Sequence, residues 1–370
     1  MPFIDTIEKV DWDSVTHDIY SRTPSDVERA LCNAGSGNIQ DFMALVSPAA
    51  APYLEQMAQL SHGLTQKRFG KTMQLYIPLY LSNACCNSCA YCGFSHKNQL
   101  KRRTLSFDQI LEEAHAIKRT GFEHLLLVTG EYPKEAGFEY LLKAVELLRP
   151  HFSQISIEVQ PMGAQEYAAL SANGLNTVYV YQETYNRETY PTYHPTGPKG
   201  DYAYRLETPE RIGKAQVHRV GLGVLLGLED WRVDSTYLAM HLRYLQKNYW
   251  KTKYSVAFPR LRPHTGNFQP NFPVSDRELI QLITAYRIFD ENVELALSTR
   301  ESVRFRNNAY KLGITSMSAG SKTEPGGYAN ERKDLEQFHI SDGRTPQEVA
   351  DYLRNDGYEP VWKDWDKVLQ

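Results

Sequence analysis

The chain has 370 residues, with 41 Lys plus Arg against 44 Asp plus Glu and a formal net charge of −3. It has no basic stripe of the kind that nucleic acid or an anionic membrane requires, and no run reaches the roughly 18 apolar residues of a membrane span. With 42% hydrophobic and 12% aromatic residues it can bury a large core, and the length suits one α/β barrel as well as two domains. The opening MPFIDTIEKVDWDSV lacks a charged start followed by an apolar stretch. It is no secretory signal, and the cytoplasm is the expected compartment. Thiols stay reduced there, so clustered cysteines read as metal ligands or catalysts before disulfides.

Residues 1–70 read as helices, an extension packed on the main domain. In TPSDVERAL, Ser25 with Glu28 three residues on forms a capping box. In SPAAAPYLEQMAQLSHGLTQKRFG, Ser47 is the expected cap, Pro48 sits in the first turn and Gly70 is the stop.

From about residue 73, short β-rich runs alternate with helical ones. The runs are 73–82, 124–130, 155–160, 177–183, 219–227, 253–260, 293–299 and 314–320, mostly continuous in apolar residues, as expected for strands covered on both faces. Between them, SFDQILEEAHAIKRTG puts Phe107, Ile110, Leu111, Ala114 and Ile117 on one stripe, capped by Ser106 and closed by Gly121. SDRELIQLITAYRIF repeats the scheme with Ser275 as cap, Glu278 completing the box, and Leu279, Leu282 and Ile283 inside. Eight strand–helix units in series point to a (β/α)8 barrel over 71–325, with an open doubly wound sheet as the alternative. Such barrels carry their chemistry at the C-terminal strand ends, and polar residues gather there: TGE, EVQ, QET, PRLR, STRE and SAGSK. Residues 326–370 form a tail, with a helix capped by Thr345 and Glu348 and two Trp in YEPVWKDWDKVLQ expected to pack on the barrel.

The loop after the first strand, LSNACCNSCAYCGFSH, holds four of the five cysteines within eight positions. Cys85, Cys89 and Cys92 stand as C-x3-C-x2-C, with Cys86 as an extra. Three thiolates can hold three corners of a four-iron, four-sulfur cube and leave one iron open, which a cluster that must touch another molecule needs and an electron carrier does not. The alternative is structural zinc, with His96 completing a Cys3His set or Cys86 replacing one ligand. A redox disulfide lacks the thioredoxin-like helix start. GLGVLLG, inside a strand run, reads as close barrel packing and not as a dinucleotide loop. His124 reads as a strand-edge residue, and Cys32 as a buried small hydrophobe.

C-x3-C-A-Y-C after the first barrel strand, with Tyr91 before the last cysteine, resembles the radical S-adenosylmethionine superfamily. GFEHLLLVTGE, VYQETY, RLETPER, GLGVLLGLEDWRVDS, FPRLRP, LSTRE and SKTEPGGYA extend the match, end to end, to its tyrosine lyases that make 2-iminoacetate for the thiazole ring of thiamine. A sister branch, the lyase that matures iron-iron hydrogenase, shares the core, and PTYHPTGPKGDYAYR leans towards it. That branch has additional cysteines in a C-terminal extension, whereas no cysteine follows Cys92 here. The same residues are compatible with a tryptophan lyase or, more distantly, a non-catalytic zinc scaffold.

The resemblance implies a cluster on Cys85, Cys89 and Cys92, reductive cleavage of S-adenosylmethionine at its open iron, hydrogen-atom removal from the amino group of L-tyrosine, and Cα–Cβ fission to 2-iminoacetate and p-cresol. Thr129, Gly130 and Glu131 stand where the family's Gly-Gly-Glu meets the methionine amino group, Thr replacing the first Gly. Glu158 and Glu183 are candidates for the ribose hydroxyls and the sulfonium, Arg205 for the methionine carboxylate. Tyrosine is zwitterionic, and Arg300 can fork onto its carboxylate, with Ser318 or Ser321 beside it and Tyr80 near the reacting amine. Arg260 and Arg262 are a second cationic pair that either holds substrate or pairs with barrel acids. Thiazole synthase as a complex partner and a flavodoxin or ferredoxin as electron donor are also implied.

Overall fold

A computed structural model describes residues 2–263, 268–329 and 337–363. Nine strands follow in chain order: β1 Thr72–Ser82, β2 His124–Thr129, β3 Gln154–Glu158, β4 Leu175–Tyr179, β5 Arg219–Gly223, β6 Lys253–Ala257, β7 Glu294–Leu297, β8 Ser316–Ser318 and β9 Glu359–Val361. Every pairing is parallel, and β1 bonds to both β8 and β2, so the first eight strands close into a barrel. The open-sheet alternative is thereby removed. Each expected run overlaps its strand, with β1, β3 and β4 starting one or two residues before theirs. Most strands stop short of the runs' C-terminal polar residues, which form the loops at the barrel mouth.

β9 carries no periodic signal of its own. It joins as a ninth strand beside the first residues of β1, Thr72 opposite Glu359 and Gln74 opposite Val361, on the edge that β2 borders higher up, from Ile77 to Ser82. Trp362 then packs edge-on against Phe122, centroids 5.1 Å apart. Trp365 lies outside the described residues.

The helices wrap the barrel, and their inner faces and the strands form one continuous core. Ser106, Ser275 and Thr345 cap as expected, each with a reciprocal box. The box at the third helix is Thr23 with Asp26, two residues before the expected Ser25. Pro24 is the reason: its fixed φ suits the first helical position, which makes the preceding residue the cap. Ser47 does not cap; its hydroxyl donates to Ala44 O at 2.7 Å. The segment Pro48–Tyr53 is a 3-10 turn containing Pro52, whose missing N–H delays the α-helix to Leu54–Phe69. Gly70 ends that helix at φ +65°. Phe107 is 39% exposed instead of buried, stacked on Tyr140, and Cys32 is exposed. The N-terminal helix Ile39–Val46 packs on Asp276–Phe289, with Phe42 against Tyr286 and Phe289 at 4.8 and 5.2 Å. No helix among the described residues is long and apolar enough to cross a membrane.

Gly221 shows why GLGVLLG is glycine-rich. It lies in register with Tyr179, and a Cβ there would sit 2.0 Å from the tyrosine ring. Gly221→Ala is expected to cost about 1–3 kcal/mol through overpacking, read as a lower denaturation midpoint. Gly63→Ala, on a helix with no atom within 4 Å of the added carbon, should raise the midpoint slightly.

Candidate active site

At the C-terminal mouth of the barrel two cavities share a wall. The outer one, about 980 Å³, is lined by Cys85, Cys89, Cys92, Glu131, Lys199 and Arg205 among others. The inner one, about 630 Å³, runs down between β1, β6, β7 and β8 past Tyr76, Tyr80, Ser298, Ser318 and Ser321. Val128, Glu158, Tyr181, Pro259, Arg300 and Phe338 face both. Concave spaces that combine aromatic and aliphatic walls with a few convergent charged groups suit organic ligands and cofactors.

The cysteine loop is rigidly supported. Arg102 donates to the carbonyls of Asn83, Phe94 and Ser95 at 2.7–2.8 Å. Gly130 lies against the loop so closely that a Cβ would meet Ala84 O at 2.3 Å. The segment after β4 forms the other support: Ser88 N donates to Thr196 O, Ala90 N to Tyr193 O, and Lys199 N to Asn87 Oδ1. Tyr91 Oη bonds His194 Nε2 at 2.8 Å while His194 Nδ1 bonds Tyr190 O. A carbonyl only accepts, so Nδ1 carries the proton and Nε2 accepts from the tyrosine. Burial pushes His194 far below its ordinary value, which keeps this link neutral.

Three thiols thus line one pocket, and burial pushes those of Cys89 and Cys92 up. Among the described residues no three His, Cys, Asp or Glu side chains converge on a point suitable for one metal ion. Cys85, Cys89 and Cys92 all line the outer cavity, and thiolates are the donor type that an iron–sulfur cage takes. His96 is exposed and does not line the pocket, so the Cys3His alternative finds no support in this arrangement. Cys86 turns away, its Sγ 3.0 Å from Glu131 O.

Opposite the thiols lies a buried ionic network. Arg205 Nη1 donates to Glu131 Oε1 at 2.8 Å and its Nε to Tyr181 O at 2.7 Å. Asn87 Nδ2 donates to Glu131 Oε2. Lys199 Nζ meets Glu183 Oε1 at 2.6 Å, with Arg205 Nη2 3.8 Å from the same oxygen. Glu183 has φ +72°, a conformation costly for a side chain of this size. Its carbonyl accepts from Leu225 N at 2.8 Å, which holds that turn in place. Thr129 Oγ1 is buried with no hydrogen-bond partner among the described residues and lines the outer cavity.

Arg300 lies over the Phe338 ring, 3.5 Å from its centroid, and its guanidinium has no carboxylate bonded to it among the described residues. Tyr80 Oη donates to Gln337 Oε1 at 2.8 Å. Ser318 Oγ accepts from Thr299 N at 3.0 Å, and Ser321 Oγ is buried with no partner among the described residues. Arg260 faces neither cavity; it is bonded to Glu301, Asp276 and Val274 O. Arg262 lines the outer cavity and donates to Glu301 at 2.7 Å. Sequence reasoning missed Lys199, Asn87, Gln337 and Phe338. Lys199 sits in a Pro-Lys-Gly turn that reads as solvated surface, and Gln337 and Phe338 reach the mouth from a patternless tail.

Residues 79–238 match the Radical SAM superfamily model, and residues 257–359 match the Biotin and Thiamin Synthesis associated domain. The closed barrel with C-x3-C-x2-C on its first mouth loop is thus that of a radical S-adenosylmethionine enzyme. The 2-iminoacetate synthases of Escherichia coli (strain K12) and Salmonella typhimurium (strain LT2) are 50% and 48% identical to the chain over 368 residues, 99% of it and 97% of each of them. The chain belongs to the 2-iminoacetate synthase family. The FeFe-hydrogenase maturase from Carboxydothermus hydrogenoformans superposes with a TM-score of 0.86 at 29% identity, over 92% of this chain and 79% of that one. Methylornithine synthase shares the fold, with a TM-score of 0.71 at 20% identity over 91% and 97% of the two chains.

Proposed function

We propose that the protein is a carbon–carbon lyase that splits the Cα–Cβ bond of L-tyrosine, releasing 2-iminoacetate for the thiazole ring of thiamine and p-cresol. The observation that carries this reading is the joining of a thiol-lined outer cavity to an inner one walled by Arg300, a guanidinium with no carboxylate partner among the described residues and so able to receive that of an amino acid. Identity near 50% over almost the whole length of two 2-iminoacetate synthases supports it over the hydrogenase-maturing alternative, at 29%.

Cys85, Cys89 and Cys92 are the residues that would hold a four-iron, four-sulfur cluster, which when bound supplies one-electron cleavage of S-adenosylmethionine. The Arg205–Glu131 pair presents a cation and an anion side by side, complementary to the carboxylate and ammonium of that molecule's methionine end. Lys199 holds Glu183 beside the same space, where its carboxylate suits ribose hydroxyls. In the inner cavity Arg300 takes the tyrosine carboxylate, with Ser318 and Ser321 as hydroxyl donors and Tyr80 near the amine. Arg262 borders the outer cavity, and Arg260 acts as a structural partner of Glu301. The aromatic and aliphatic walls exclude water from the reacting groups. Because 2-iminoacetate hydrolyses readily, direct handover to a thiazole synthase fits the chemistry, with a flavodoxin or ferredoxin as reductant in the cytoplasm.

Anaerobically reconstituted protein given S-adenosylmethionine, dithionite and tyrosine should form p-cresol and glyoxylate, the hydrolysis product of 2-iminoacetate. Tryptophan in place of tyrosine should give no cleaved product. Turnover of S-adenosylmethionine with tyrosine left intact would refute the reading.

A further inference from the structure

We propose that Glu158 takes the ammonium proton of the bound amino acid, so that the nitrogen is a neutral amine when its hydrogen atom is removed. This rests on the tyrosine-lyase reading above. Glu158 is the last residue of β3 and stands on the wall common to both cavities, as Arg300 does. A carboxylate and a guanidinium on one wall match the two charged ends of an amino acid. With the substrate carboxylate on Arg300, its amino group falls on the Glu158 side, at the junction with the outer cavity.

The other carboxylates at the mouth are engaged: Glu131 by Arg205 and Asn87, Glu183 by Lys199, and Glu301 by Arg260 and Arg262. Glu158 has no hydrogen-bond partner among the described residues. The groups that face it are Arg300, Glu183, Lys199 and Arg205, and the hydroxyls of Tyr76, Tyr80, Tyr179 and Tyr181. Burial raises its pKa to about 7, with Arg300 opposing, which suits a group that exchanges protons near neutrality.

The chemistry needs such an acceptor. An ammonium has no lone pair to stabilise the nitrogen radical that loss of a hydrogen atom leaves, so its N–H bonds are harder to break homolytically than those of a neutral amine. A neutral imine product also requires that one proton has left the nitrogen. In the proposed step one N–H bond breaks heterolytically, the electron pair stays on nitrogen, and an O–H bond forms on Glu158. Nothing is oxidised or reduced.

In the reconstituted holoenzyme, Glu158→Gln should lower kcat for p-cresol about 100-fold or more at pH 7. The wild-type rise of kcat/KM through about pH 7 should move in this variant towards the pKa of the amine itself, and Glu158→Asp should restore part of the rate. Independently of turnover, infrared difference spectra should show a protonated carboxyl appearing when tyrosine is added to the wild-type protein without S-adenosylmethionine, and not in Glu158→Gln. That wild-type spectrum decides the matter even if the variant folds poorly, and absence of the band overturns the proposal. So does wild-type rate and pH profile in Glu158→Gln. Weakened binding of S-adenosylmethionine in Glu158→Gln with an unchanged pH profile would assign the residue to the cofactor instead. If the wild-type enzyme forms no p-cresol, the functional reading fails; if it does and the variant matches it, only the role of Glu158 fails.

Discussion

Replacing Cys89 by alanine is expected to abolish both iron retention and 5′-deoxyadenosine formation while the barrel stays folded. The thiol lines the outer cavity, and a four-iron cluster with one open iron has three protein anchors and no spare. Cys85→Ala and Cys92→Ala should behave alike. Cys86→Ala should keep its iron, because that sulfur bonds the carbonyl of Glu131, and His96→Ala should keep it because the ring is exposed. Iron and sulfide analysis after anaerobic reconstitution, with chromatography of the nucleoside product, separates these outcomes. Full iron in Cys89→Ala, or loss of metal in His96→Ala, would overturn the ligand assignment. The variants should fold, because loop and segment are held by backbone contacts and by Arg102, not by the thiols.

The largest stability loss is expected at Asp342→Asn. Arg306 and Asp342 are both fully buried and paired, and Arg306 also donates to Ser318 O at the end of β8. Asp342 N and Ser341 N donate to Thr299 O, beside Arg300, and Arg344 adds further bonds to the carboxylate. The pair therefore ties the ends of β7 and β8 to the tail at the point where Arg300 and Ser318 line the inner cavity, and on the proposed reading its loss would be felt in substrate binding as well as folding. Removing one partner leaves an uncompensated buried charge, a cost of about 3–5 kcal/mol, measurable as a lower denaturation midpoint. An Arg306→Met, Asp342→Leu double variant should recover part of it. Burial pushes the Asp342 carboxyl up, but the Arg344 hydrogen bonds and the Arg306 charge hold it below its ordinary value. Its contribution is therefore complete above the unfolded value near about pH 4 and is lost as pH falls through the lower folded value. An unchanged midpoint in Asp342→Asn would contradict this account.

The eight barrel strands and the cysteine loop were legible because their signals are local: continuous apolar runs, capping residues and three thiols at fixed spacing. The same holds for Glu131 and Glu183, which lie just past the ends of β2 and β4, where such barrels place polar groups, whereas Arg205 sits on the helix Tyr202–Leu206 and was legible only through the family resemblance. What escaped reading depends on distant segments meeting. Lys199 becomes a buried partner of Glu183 only because the turn after β4 folds under the cysteine loop. β9 is three residues of ordinary composition that become a strand because the exposed edge of β1 accepts them. The two arginines of PRLRP could not be separated by sequence, since Glu301, which binds both, lies on the loop after β7. Cys32 misled because thiols are usually buried, whereas its helix turns that position outwards.

The attachment of β9 has a consequence for biosynthesis. The strand that leads into the thiol loop acquires its complete set of neighbours only when residues 316–318 and 359–361 have emerged from the ribosome. A nascent chain therefore displays its cysteines long before their seat exists, open to oxidation and stray metal. On the proposed reading, delivery of an inorganic centre would be a task for the period after translation, performed on an assembled barrel.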